Sequence, residues 1–536
     1  MQQKTSKFTY QTRFKADQKQ NDILSEMAEH LSCVERDLFK EMQKPQKLSL
    51  NELKTLFLKK HPITARQFNS LRLKLEGKIF SYKQLLNERI QLLEVKVKKL
   101  QKHLKRLKDP FKLHQKKRRL FILETKLKNL KKDKSQNKVR LCFGSKKLFQ
   151  KQFRLKENGY GAHAEWKKDW EEARNNSFFL VGSKDETSGN QSCRVVKDGD
   201  AFILFLRLPN SFSEKVLRIE NISFSYGEEK IIEAIYENEK RKNLRLLKEP
   251  YSHLGKAINY LFKKDQKSWR VFINIEQDGP ALKTKKELGA IGLDINANQI
   301  ALAETDRFGN LVEKKVFSCS TYGKNKKQAK TIIQETAKEI ISLALTAQKP
   351  IVLEKLDFSK KKQALREENN RFSRMLSSFT YSQIIISIKA KAFKEGVEIC
   401  SINPAFTSVI GRIKFMFRYG LSSHVSAALT IARRLNHYSE KLPRYLEIKG
   451  SKSSKSAFFL PVRNRKKHVW SDYKKLFQTL KSQWAAGPPA LKTADVLYLS
   501  TVIRSSRPLK LLCDSKSFDI LPGKLRYVNS SAELLG

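Results

Sequence analysis

The hydrophobic positions of the chain change period as they run. Near the amino terminus SKFTYQTRF, Ser6 to Phe14, alternates apolar and polar residues, the period of a half-buried strand. Leu86, Ile90, Leu93, Val97, Leu100, Leu104 and Leu107 then follow at spacings of 4, 3, 4, 3, 4 and 3. That is a heptad seam. Pro110 breaks it, and Leu120, Leu123, Leu127 and Leu130 resume at 3, 4 and 3, so an antiparallel helical hairpin is expected. From about Val139 to Pro280 the pattern reads as strands: FFLVGSK, AFILFLRLP, LRIENISFSY and SWRVFINIE, separated by turn residues. An antiparallel barrel or sandwich is expected there. One strand before the helices and the rest after them implies a helical domain inserted into a β-domain.

Gly289 opens a third pattern. IGLDINAN, QIALAETD and LVEKKVF read as three hairpin strands, with RFGN as a turn. A helix is expected over about Lys326 to Ala347. A strand in PIVLEKLDF, a helix through QIIISIKAKAFKEG, a strand in VEICSINP and a last helix in SSHVSAALTIARRL follow. Three hairpin strands and then alternating helix and strand fit a ribonuclease H-like α/β layout. Beyond about His437 the chain reads as basic and irregular. Between Lys449 and Lys467 it carries seven basic residues and no acid, which suggests a segment facing nucleic acid.

Charge narrows the function. Across 536 residues there are 108 Lys and Arg against 54 Asp and Glu, a net charge of +54. Solubility needs far less, and such an excess repels itself until a polyanion neutralises it. A duplex of about 20 bp brings about 40 charges at one per roughly 1.7 Å, the right scale. Lys96 to Arg140 alone hold 19 basic and 3 acidic residues, too few acids for i,i+4 ion pairs, so a backbone-contacting arm is preferred to a solvated coiled-coil face. Its candidate contacts are Lys98, Lys99, Lys102, Arg118 and Arg119; Arg371, Arg374, Arg412 and Lys414 are further candidates. No apolar run is long enough to span a bilayer. MQQKTSKFTYQTRF lacks the apolar core of a signal peptide, so an intracellular protein without a membrane partner is expected. The six cysteines are scattered without any CxxC, which argues against a zinc site and, inside a cell, against a disulfide framework.

Two acids end apolar strands, Asp294 in IGLDIN and Glu354 in IVLEKLDF. Carboxylates on neighbouring strands form a hard oxygen site suited to Mg²⁺, and paired ions there can clamp the attacking and leaving oxygens of phosphodiester hydrolysis. Helix capping is the other reading of either acid. The runs GLDINANQIALAETDRFGN and IVLEKLDFSKKKQALREENNRFSRMLSSFTYSQIIISIKAKAFKEGVEICSINPAFTSVIGRIKF closely resemble the TnpB family of transposon-encoded RNA-guided nucleases, related to type V CRISPR effectors. The resemblance is close over about 289–435 and weaker upstream, through VGSKDETSGNQSCRV.

The resemblance implies a multidomain α+β protein. Its parts would be a β-barrel wedge domain (1–18 and 139–284), an inserted α-helical recognition lobe (19–138), a RuvC-like ribonuclease H domain (285–437) and a basic C-terminal extension (438–536). It implies an RNA-guided DNA endonuclease of the prokaryotic cytoplasm and nucleoid. The cofactors would be Mg²⁺ or Mn²⁺ and a guide RNA. The partner would be double-stranded target DNA bearing a short adjacent motif, bound by one protein copy on its RNA. Asp294 falls on the first catalytic position and Glu354 on the second. Two departures stand out. Most members carry a zinc ribbon with two CxxC pairs before the last helix, where this chain has SINPAFTSVIGRIKFMFRYGLS. The helix itself begins HVSAALTIARR in place of Asp-x-Asn-Ala-Ala, which puts His424 on the third acid and Ser426, Ala427 and Ala428 on Asn-Ala-Ala. His424 is a substitute ligand or catalytic aid in one reading and a packing residue in the other. Imidazole suits Mn²⁺ better than Mg²⁺. Asp357 and Glu440 are the fallback carboxylates. The competing functions are a guided DNA binder that no longer cuts and a DNA-strand transposase, which needs a full acidic triad and an end-recognition domain.

Overall fold

The computed structural model describes residues 5–44, 48–247, 254–296, 298–355, 381–416, 418–438, 440, 445–449, 455–459, 468–486 and 499–500. Arg371, Arg374 and Asp357 lie outside them. The described chain forms two compact units, one up to Ala281 and one from Leu282 onward.

The first unit begins with β1 (Thr5–Phe14), followed by α1 (Gln18–Met42), α2 (Leu50–Lys60), α3 (Ala65–Leu104), α4 (Pro110–Ser135), α5 (Lys146–Lys151) and α6 (His163–Asn175). Then come β2 (Ser177–Leu180), β3 (Cys193–Asp198), β4 (Ala201–Arg207), β5 (Val216–Ile222), α7 (Glu228–Leu246), β6 (Ile258–Lys264) and β7 (Trp269–Asp278). The early helices start where a side chain takes up the orphan amides of the first turn. Asp17, Ser49 and Thr64 form capping boxes with Gln20, Glu52 and Gln67, and Asp109 caps α4 with Pro110 at its first position. β1 pairs antiparallel with β7 along its whole length, from Thr5 opposite Asp278 to Phe14 opposite Trp269. Helices α1–α7 thus lie in the chain between the two paired strands.

The expected barrel is not found among the described residues. The strands form two open sheets, β1-β7-β6-β2 and β3-β4-β5. They share one core in which Phe178, Phe262, Trp269, Phe202 and Leu204 meet Leu24, Met27 and Phe68 of the helices. The helices cover the apolar faces of the sheets, which are thus buried without a sheet closing on itself. Nor is the stretch from Val139 to Pro280 all strands. α6 and α7 interrupt it, and α7 buries Ile231, Ala234 and Asn238 at helical spacing. The heptad seam lies where expected, with Leu86, Ile90 and Val97 buried. The Glu94–Lys131 ion pair (2.6 Å) and the Gln101–Glu124 hydrogen bond (3.0 Å) run α3 and α4 antiparallel. α3 is longer than the seam, about 60 Å at 1.5 Å per residue, and its first turns are sunk in the β-core through Phe68, Leu71 and Leu75.

The second unit is built on a five-stranded sheet of β8 (Ala290–Ile295), β9 (Gln299–Thr305), β10 (Leu311–Ser318), β11 (Ile351–Glu354) and β12 (Ile399–Ile402), in the order β10-β9-β8-β11-β12. The first three are antiparallel neighbours, and β11 lies parallel to both β8 and β12. This is the layout predicted by three hairpin strands followed by alternating helix and strand. Of its helices α8 (Lys326–Ala347), α9 (Tyr381–Glu395), α10 (Thr407–Lys414), α11 (Ser423–Leu435) and α12 (Trp470–Ala486), the first two cover one sheet face through Ile340, Ile341, Ile384 and Ile388. α10, α11 and α12 build a second core with Ala301 and Ala303 through Ile410, Leu429, Val469 and Tyr473. The chain beyond His437 is thus not wholly irregular. α12 is part of this core, and β13 (Tyr445–Lys449) pairs with β14 (Lys455–Phe459) and β15 (Leu499–Ser500). No described helix is long and apolar enough to cross a membrane.

Candidate active site

Strand alternation assembles the site. On β8 and β11, Ile291, Leu293, Ile351 and Leu353 point into the α8–α9 core. The alternate positions Gly292, Asp294, Val352 and Glu354 therefore face α11. Leu353 lies opposite Leu293 on the parallel neighbour, so one residue further Glu354 comes level with Asp294. Adjacent strands are about 4.8 Å apart, so Asp294 and Glu354 sit at the same end of neighbouring strands, on the face turned to α11.

α11 reaches them because small residues let it lie close. A Cβ built on Gly292 would fall 2.0 Å from the Ala428 carbonyl oxygen, and one on Gly411 of α10 would fall 2.5 Å from that of Ser426. The helix is wedged between a strand and a helix that both yield to glycine. Ser422 caps it by accepting from the Val425 amide at 3.3 Å, which leaves His424 in the first turn. His424 Nδ1 meets Asp294 Oδ2 at 3.1 Å, and Asn296 Nδ2 donates to the same oxygen at 2.9 Å. Asp294, 15% exposed, is thus compensated by its own neighbours, while His424 is 41% exposed. Glu354 accepts from the Thr407 hydroxyl at 2.5 Å.

Two further side chains belong here. Tyr381, at the start of α9, is buried. Burial pushes its hydroxyl pKa up, and the charges of Glu354 and then Asp294 push it further, so it stays protonated. Burial lowers the pKa of the Arg434 guanidinium, against the pull of the nearby Glu354 and Glu440 charges. Thr407, Asn296, Tyr381 and Arg434 were missed by sequence reasoning. Asn296 sat in plain view in the DIN triplet, whereas Thr407 and Tyr381 sit in stretches with no acid to draw attention to them.

The other candidates separate. Glu440 is 6% exposed and accepts from Lys414 (2.6 Å) and Arg433 (2.7 Å), so it is committed elsewhere, as is Lys414. Arg412 is half-buried on α10. Lys98, Lys99, Lys102, Arg118 and Arg119 are exposed along the α3–α4 hairpin of the first unit. Among the described residues no group of three or more His, Cys, Asp or Glu is arranged to hold a metal. Two register-matched carboxylates nonetheless fit a hard divalent cation, which commonly binds through one or two carboxylates and keeps several waters.

No protein family matches the chain, and no curated protein does. Similar solved structures include a Cas12f1–sgRNA–target DNA complex, 12% identical over 80% of this chain and 99% of that one, with a TM-score of 0.33. T. thermophilus RuvC in complex with a Holliday junction substrate is 14% identical over 28% of this chain and 92% of that one (TM-score 0.21). A Cas12i–crRNA–dsDNA complex is 12% identical over 71% and 67% (TM-score 0.22). Likenesses this loose leave the chemistry to the geometry of the site.

Proposed function

We propose that the chain is an RNA-guided DNA endonuclease that hydrolyses phosphodiester bonds at Asp294, Glu354 and His424. The observation that carries this reading is that two acids end adjacent parallel strands on one face, with an imidazole bonded to one of them. The likeness of GLDIN and IVLEKLDF to the TnpB family and the net charge of +54 support it. Asp294 and Glu354 would hold Mg²⁺ or Mn²⁺, which polarises the scissile phosphate and activates water. Asn296 and Thr407 fix the carboxylate rotamers by donating to them. With Nδ1 turned to Asp294, the imidazole has Nε2 on its far side, where it can take a proton from an attacking water. The basic hairpin would hold guide RNA or heteroduplex by its backbone.

The test uses the full chain loaded with its co-purifying RNA and a matched duplex. Asp294→Ala and Glu354→Ala should bind like the parent and lose nearly all cleavage. One observation favours a second reading: the Asp294–His424 bond satisfies the carboxylate without any cation. On that reading the protein is a guided DNA binder with a silent site. A parent that binds matched DNA but leaves it uncut in both Mg²⁺ and Mn²⁺ selects it.

A further inference from the structure

The second unit holds a cleft of about 220 Å³ lined by Ile410, Arg434, His437, Tyr438, His468 and Trp470, among others. That is far more than one water needs and less than a drug-sized pocket of about 300 Å³. Its walls are flat and aromatic. The Arg434 guanidinium lies over the Trp470 ring at 5.0 Å, and His468 meets the same ring edge-on at 4.7 Å. Its one acid, Glu440, is neutralised by Lys414 and Arg433 and so does not repel an anion. α10 ties the cleft to the site: Thr407 bonds Glu354, and Ile410, one turn further along the same helix, lines the cleft.

We propose that this cleft receives one unstacked nucleobase of a strand led past Glu354, which takes the place of the Arg434 guanidinium against the Trp470 ring while Arg434 turns to a phosphate. A planar, uncharged heteroaromatic ring matches the walls, and its phosphates match the basic surround. The inference rests on the nuclease reading for its biological sense, but not for its test.

The test uses the full-length Asp294→Ala protein in EDTA, so that cutting plays no part. Single-stranded oligonucleotides carrying 2-aminopurine, or an abasic site, at each position in turn are bound at raised salt. Stacking on Trp470 should quench 2-aminopurine at one register. An abasic site at that register should weaken binding about five- to a hundredfold, the usual worth of one stacked base. Trp470→Leu should abolish both effects and Trp470→Phe should restore them, which separates lost stacking from lost folding. DNA and RNA versions show which strand supplies the base. Quenching unchanged in Trp470→Leu, or abasic oligonucleotides that bind as well as intact ones at every register, overturns the proposal. Failure of the parent to cut would overturn the nuclease reading and leave this result standing.

Discussion

At Asp294 a carboxylate that a buried strand could not otherwise carry is held by Asn296 and His424. On the proposed mechanism, losing the imidazole removes a proton acceptor as well as one of the two side chains bonded to the acid. His424→Ala should slow cleavage at least about tenfold, roughly 1.4 kcal/mol in the barrier, with guide and target binding unchanged. If the imidazole instead binds the ion through Nε2, Mn²⁺ should outperform Mg²⁺ in the parent and lose that advantage in the variant. Thr407→Val keeps the shape beside Glu354 but not the donor. Cleavage should fall about 10- to 100-fold, as for other residues that orient ligands, with little change in target affinity measured by filter binding. Tyr381 gives a prediction in pH. Its hydroxyl pKa is raised by folding, so above about 10 the unfolded chain loses a proton that the folded chain keeps, and stability falls as pH rises. Urea unfolding between pH 9 and 11 should show a shallower loss in Tyr381→Phe than in the parent.

Among the elements, α11 depends most on fit. Gly292→Ala puts a methyl group against the Ala428 carbonyl, between backbone atoms that cannot turn aside. The helix must move off the sheet and take His424 with it. About 1–3 kcal/mol of stability should be lost in urea titration, and cleavage should fall more than the melting shift alone accounts for. The same element shows what the sequence could and could not disclose. Its small residues and the acids on β8 and β11 were legible, because a charge in a short apolar strand is conspicuous. The α3–α4 hairpin was legible from seven leucine-like positions in strict heptads. α6 and α7 were not, since they lie in a stretch dominated by neighbouring strand patterns, and α7 buries only a narrow stripe. β3 and β6 were passed over because CRVVKD and INYLFKK carry a net positive charge, and pairing with β4 and β7 makes them strands. α12 was hidden by the basic segment before it. The cluster of Thr407, Tyr381 and Arg434 about Glu354 comes from three separate elements, a proximity that no local pattern encodes.

For the molecule as a whole, +54 charges must find a counterpart. The protein purified without nuclease or high salt should carry RNA, read as an A260/A280 ratio above that of bare protein. The affinity for that RNA should fall with salt at a slope of roughly −0.7 to −0.9 per phosphate neutralised, and a flat response would count against the polyanion reading. Replacing Lys98, Lys99, Lys102, Arg118 and Arg119 together by Gln should weaken binding of all target sequences about equally and make that slope shallower.

The pairing of β1 with β7 governs how the chain can be made. As the polypeptide leaves the ribosome, Thr5 to Phe14 emerges with two buried-to-be aromatics, Tyr10 and Phe14, and nothing to pair with until Trp269 to Asp278 has been synthesised. At about 5–20 residues per second that delay is roughly 10–50 s, long compared with the microseconds a hairpin needs. Meanwhile the nascent strand is an open edge, guarded only by Lys7 and Arg13. The helices between the two strands can fold during that wait, so the last strand to arrive closes a sheet around elements already formed. Slowing translation just before Trp269 would lengthen the exposure and should raise the insoluble fraction, whereas the same pause placed after Asp278 should not.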